Sequence, residues 1–67
     1  MPETHRALMA GDISLSDVRM LVAARETDPV AFERSEAQLV GAARTHSARD
    51  LQRVTAFWRE RVARDAA

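Results

Sequence analysis

Apolar residues recur along this chain at the spacing of α-helices, and the clearest repeat lies in its last third. Between residues 48 and 64 the apolar positions form one stripe when they are projected at about 100° per residue. The members of the stripe are Leu51, Val54, Thr55, Trp58 and Val62. Ser47 and Asp50 stand at the spacing of a capping box, which satisfies the first backbone N–H groups of a helix. The pattern predicts a capped amphipathic helix over residues 48–64.

Two shorter helices are predicted before the middle of the chain. Residues 3–10 favour a helix that ends at Gly11, since glycine readily adopts the left-handed conformation that closes a helix. Ser14 and Asp17 form an acidic variant of the capping box, so a second helix is predicted over residues 14–27. The large apolar side chains on its stripe are Leu15, Val18, Leu21 and Val22.

A third helix is predicted over residues 29–45. Asp28 is a suitable N-cap and Pro29 a suitable first residue, because proline has no N–H to leave unpaired there. The apolar stripe is weaker here and a break at 34–36 is an alternative, with one continuous helix as the first choice. Gly41 lies inside the segment at a cost of about 1 kcal/mol relative to alanine. We interpret it as a place where another helix approaches closely.

These segments predict an all-α fold, a small bundle of three to four short antiparallel helices in a single domain over residues 1–67. No segment shows the period-two alternation with hairpin-spaced turns that is typical of paired strands. The connections between helices are only a few residues long, which favours antiparallel neighbours. The chain has no cysteine, so neither a disulfide nor a zinc thiolate is available to stabilise so small a core.

Composition narrows the classes of partner. The chain carries 10 basic and 10 acidic residues, a net charge of zero, whereas nucleic-acid-binding domains are usually basic. All the basic residues are arginine, which we interpret as the codon bias of a GC-rich genome. No apolar run approaches the roughly 20 residues that span a bilayer, and the first ten residues lack the apolar core of a signal peptide. We expect a soluble, cytoplasmic protein without a membrane partner.

Candidate catalytic and metal-binding residues are few. His5 and His46 are the only histidines, and neither has a second ligand at metal-binding spacing. Glu33 and Glu36 lie three residues apart on a helix, as acid–base or cation-binding carboxylates do, but no nucleophile or phosphate loop accompanies them. We interpret both glutamates as part of a solvated face. We therefore expect a non-enzymatic protein with no catalytic residue, metal, cofactor or small-molecule ligand.

The arginines of the last predicted helix offer a nucleic-acid alternative. Arg49, Arg53 and Arg64 project opposite the apolar stripe, where they could contact DNA phosphates. Glu60 falls on the same side and would face the phosphates, and the spacing of the predicted helices does not match a helix-turn-helix. Contact with DNA is thus the alternative rather than the first interpretation.

Two apolar residues project away from the stripes of their own helices. Phe57 lies about 100° from Trp58, at the edge of the core stripe, and Met20 falls opposite the stripe of the second helix. Apolar side chains on two sides of short helices indicate a surface that a partner covers. The predicted protein-interface residues are Val54, Phe57, Trp58, Arg61 and Val62. A homo-oligomer, or the missing segments of a longer parent protein, would provide the cover.

Three motifs follow one another over nearly the whole chain. The first has Ala10, Gly11, Ile13 and Ser14, followed by Val18 and Arg19. The second has Asp28, Pro29, Phe32, Glu36, Leu39, Val40, Ala43 and Arg44. The third has Ser47, Arg49, Asp50, Leu51, Arg53, Val54, Trp58 and Arg59. In this order they resemble the helical domain of the 13E12-repeat family, an actinobacterial group whose domain has no assigned function.

The resemblance implies an association with DNA cleavage, because long members of that family carry a carboxyl-terminal HNH nuclease module. An HNH site needs a His-rich ββα-metal unit, which residues 1–67 do not contain, so no catalytic residue carries over. The family domain is usually longer than this chain. The resemblance therefore implies a piece of a larger domain or a short stand-alone member.

Overall fold

The fold is a small bundle of four helices, seen in a computed structural model that describes residues 1–66. The helices are α1 (Pro2–Met9), α2 (Leu15–Thr27), α3 (Pro29–Thr45) and α4 (Ala48–Ala66). Residues 1–66 contain no strand, so the predicted all-α class and helix number are confirmed. The α3 helix is continuous, and the alternative of a break at 34–36 is wrong.

The turn between α1 and α2 forms as its residues predict. Gly11 has a φ of +79°, and its N–H donates to the carbonyl of Leu8 at 3.0 Å, which closes α1. Ser14 and Asp17 then form both halves of the capping box. The Asp17 N–H donates to Ser14 Oγ at 3.2 Å, and the Ser14 N–H donates to Asp17 Oδ2 at 3.0 Å. Local chemistry alone thus sets where the chain reverses.

The starts of α3 and α4 also follow their predicted caps. Asp28 Oδ1 accepts the N–H of Ala31 at 3.0 Å, which satisfies one of the unpaired donors of α3. At α4, Ser47 Oγ accepts the N–H of Asp50 at 3.3 Å, which is one half of the predicted capping box. Both contacts are short range, so they form without help from the rest of the fold.

The core lies where α2, α3 and α4 meet and is closed on one side by α1. Its buried apolar residues are Ala7, Ile13, Leu21, Ala24, Phe32, Leu39, Val40, Ala43 and Leu51. Trp58 of α4 covers the edge of this core, and its ring lies edge-to-face on Phe32 with centroids 6.3 Å apart. This pair joins α3 to α4 and defines the side of α4 that faces inward.

The buried face of α2 is rotated from the predicted one. Leu15, which the stripe placed in the core, is 67% exposed, and Val22 is exposed at 37%. Met20, which the stripe placed outside, is half-buried and packs against the core. The prediction counted only large apolar residues, whereas the inward face is marked by the small Ala24 and the capping Asp17.

The interpretation of Gly41 as a point of close helix approach is wrong. A methyl group added to its Cα would meet no atom of the described chain within 4 Å apart from its local neighbours. Gly41 therefore has no packing role that a small side chain would disturb.

Candidate protein-interaction surface

The α4 helix carries the candidate surface, since its sides range from fully buried to open. Leu51 and Thr55 face inward and are 0% and 2% exposed. Arg61 is exposed and Phe57 is 65% exposed. The remaining predicted interface residues, Val54, Trp58 and Val62, are half-buried. The predicted set thus lies together along one flank of α4, and Phe57 is its most exposed apolar member.

Trp58 divides its surface between the core and this flank. One side of the indole packs on Phe32, and the half-buried residue also lines a groove between α3 and α4. Trp58 therefore acts as a fixed wall next to Phe57. A rigid aromatic wall beside an exposed aromatic ring is the kind of surface from which binding hot spots are built.

The groove between α3 and α4 has a volume of about 410 Å³. The α4 side chains that line it are Trp58, Arg61, Val62 and Asp65, and those of α3 are Ala31, Arg34, Ser35 and Gln38. A smaller concavity of about 250 Å³ continues from it towards Asp28 and Val30. Because Ala31, Arg34 and Val62 line both, the two form one continuous depression.

The charges along this depression are balanced. Arg34 and Arg61 contribute two positive charges, and Asp28 and Asp65 contribute two negative charges. A phosphate-binding groove would require an excess of positive charge. Apolar walls with both signs of charge instead suit the polar rim and apolar centre of a protein interface.

The arginines of the DNA alternative lie on the outer side of α4. Arg49, Arg53 and Arg64 are all exposed, and so is Glu60 between them. They are therefore accessible as the alternative requires. Their side of the helix nevertheless includes the carboxylate that the sequence placed there.

Glu36 does not belong to a solvated face. It is 4% exposed, whereas Glu33 is exposed, so the interpretation holds for Glu33 and is wrong for Glu36. Glu36 Oε2 accepts the backbone N–H of Thr4 at 2.8 Å. That N–H lies in the first turn of α1, where backbone donors have no partner within the helix. The two carboxylates thus serve separate purposes, and Glu36 holds α1 against α3.

A second depression lies between α1 and α2, and the sequence did not predict it. Its volume is about 410 Å³. The lining residues are Met1, Thr4, His5, Leu8, Val18 and Val22. The side-chain oxygen of Thr4 is buried there without a hydrogen-bond partner among the described residues. The only available signal was that Val18 and Val22 share a stripe, which the prediction assigned to the core.

Comparisons with models of known families, with curated proteins and with solved structures gave no match for this chain. The resemblance to the 13E12-repeat family therefore stays a prediction.

Metal-binding and membrane-spanning features were also sought in the part of the chain that the structure describes. His5 and His46 are both exposed. Within residues 1–66, no three side chains from histidine, cysteine, aspartate and glutamate lie together in a way that could hold a metal ion. No helix in the same range combines the length and apolar character needed to cross a bilayer.

Proposed function

We propose that this protein is a non-enzymatic helical interaction domain that self-associates through the Phe57 flank of α4 and the adjoining α3–α4 groove. The observation that carries the proposal is the 65% exposure of Phe57, next to half-buried Val54 and Trp58. Burial of a phenylalanine ring contributes about 1.5 to 3 kcal/mol, so a partner that covers it gains a substantial part of its binding energy there.

Three features support a protein partner. The apolar strip is continuous, since Val54, Trp58 and Val62 adjoin Phe57 along one flank. Arg61 borders the strip, and aromatic and arginine residues dominate binding hot spots. The groove beside the strip carries two charges of each sign, so a second copy of the same neutral chain can match it.

The resemblance to accessory domains of HNH-associated proteins agrees with a role in assembly rather than catalysis. The alternative, contact with DNA through Arg49, Arg53 and Arg64, draws on the exposure of those three side chains. Its signature would be a duplex mobility shift at low salt that disappears steeply as salt is added.

Sedimentation equilibrium of the wild type and of Phe57→Asp at micromolar concentration tests the proposal. We expect a dimer or larger species for the wild type and a lower mass for Phe57→Asp, because the substitution buries an unpaired charge in the interface. Leu15→Asp is the matched control, since Leu15 is 67% exposed but lies at the start of α2. A monomeric wild type, or equal masses for Phe57→Asp and the wild type, would refute self-association through this flank.

A further inference from the structure

The α4 helix carries two parallel rows of side chains at heptad spacing. The inner row is Leu51, Thr55, Trp58 and Val62, which packs on the core. The row one residue earlier, here called the outer seam, is Asp50, Val54, Phe57 and Arg61. Both rows follow steps of four, three and four residues, which is the spacing of an a/d seam in a two-helix coiled coil. The outer seam faces away from the bundle, since all its members except half-buried Val54 are exposed.

The outer seam has an order of charge that suits one arrangement of two copies. It begins with acidic Asp50, continues through the apolar Val54 and Phe57, and ends with basic Arg61. In an antiparallel pair with its two-fold axis between residues 55 and 56, each position i faces position 111 − i. Asp50 then faces the partner's Arg61, and Val54 faces the partner's Phe57. The two-fold repeats each contact once.

The positions beside the seam have the same complementarity. Arg53 and Glu60 are both exposed and precede the seam positions Val54 and Arg61. In an antiparallel coiled coil such flanking positions face each other across the seam, so Arg53 lies beside the partner's Glu60. This arrangement accounts for the carboxylate on the arginine side of α4. A parallel pair would instead place Asp50 against the partner's Asp50, and Arg61 against the partner's Arg61.

We infer that two copies of the chain pair antiparallel along their outer seams, with the partner's Arg61 opposite Asp50 and the partner's Phe57 opposite Val54. The inference rests on the proposed function, to which it adds the partner, the orientation and the register. An isologous interface must be complementary to itself, and this seam is so in charge and in apolar character. The interface continues into the α3–α4 groove through Arg61, which belongs to both.

A charge-swap pair tests the register. Asp50→Arg places a new arginine opposite the partner's Arg61, and Arg61→Asp places two aspartates opposite each other. We expect each variant alone to dimerise at least about tenfold more weakly than the wild type, because like charges then meet at both ends of the seam. An equimolar mixture should form a heterodimer with close to wild-type affinity, since both of its end contacts then join two charges that differ from those of either homodimer: two arginines and two aspartates are replaced by pairs of opposite sign. Sedimentation equilibrium and native mass spectrometry of the mixture report this directly.

The controls separate the inference from folding and from the proposed function. Arg49→Asp makes the same charge change as Arg61→Asp at an exposed position outside the seam, and it should leave the dimer intact. Recovery in the mixture excludes misfolding, because an unfolded variant is not rescued by a second one. If the wild type dimerises and Phe57→Asp dissociates it, but the mixture shows no heterodimer, the register is wrong and the proposed function stands. A monomeric wild type overturns both.

Discussion

Replacement of Glu36 by alanine should release α1 from the bundle, because this carboxylate is the acceptor for a backbone donor in the first turn of α1. Glu36 is 4% exposed, and its Oε2 lies 2.8 Å from the backbone nitrogen of Thr4. The α1 helix has only eight residues, too few to be stable as an isolated helix in water. Its order therefore depends on the contacts it makes with α2 and α3.

The magnitude follows from two losses and one gain. A hydrogen bond to a charged group contributes about 1.5 to 3 kcal/mol, and its removal leaves the Thr4 N–H without an acceptor. Two buried methylene groups add about 0.8 kcal/mol each. The gain is relief of the cost of holding a carboxylate out of water. We expect a net fall of about 2 kcal/mol in the free energy of unfolding, a large share of the roughly 3 to 10 kcal/mol typical at this size.

Urea unfolding followed by circular dichroism measures this change, and amide hydrogen exchange in α1 shows whether that helix is the part released. Glu33→Ala is the matched control, because Glu33 lies on the same helix three residues away and is exposed. It should change stability by no more than about 0.5 kcal/mol. Glu36→Gln retains an acceptor oxygen and should fall between the two. Equal stabilities for Glu36→Ala and Glu33→Ala would show that the Thr4 contact does not hold α1.

Two further pairs of substitutions should have effects of opposite sign in the same unfolding assay. Gly11→Ala should destabilise by about 1 kcal/mol, since Gly11 has a φ of +79°, whereas Gly41→Ala should stabilise by a similar amount within α3. The same sign for both would contradict this account of the two glycines. Thr4→Val should stabilise by about 1 kcal/mol because it removes a buried hydroxyl without a partner in residues 1–66, and Thr55→Val should destabilise by about 0.5 to 1 kcal/mol because Thr55 Oγ1 donates to the Gln52 carbonyl at 3.1 Å. A loss of stability in Thr4→Val would mean that its hydroxyl has a partner in solution.

The candidate surface shows how far periodicity carries. The stripe of α4 was predicted from spacing alone, and Leu51 and Thr55 are indeed buried. Phe57 was placed at the edge of that stripe, and it is exposed. The prediction succeeded because α4 packs on the bundle mainly along one side, so a single apolar stripe describes it well.

The α2 helix shows where periodicity fails. It contacts α1, α3 and α4, so no single stripe describes it. The positions of its neighbours expose Leu15 and cover Met20, although both are large and apolar. Hydrophobicity says that a side chain gains from burial, but the packing of the other helices decides which side is covered.

The sequence by itself determined the helices, their caps and the turns, because each depends on residues within one or two turns of the chain. Ser14 with Asp17, Asp28 with Ala31, and the left-handed Gly11 are all such local features. Only the tertiary structure distinguished Glu36 from Glu33, since the donor that Glu36 accepts from is 32 residues away. Long-range contacts of this kind leave no periodic signal, and they decide which of two similar side chains is buried.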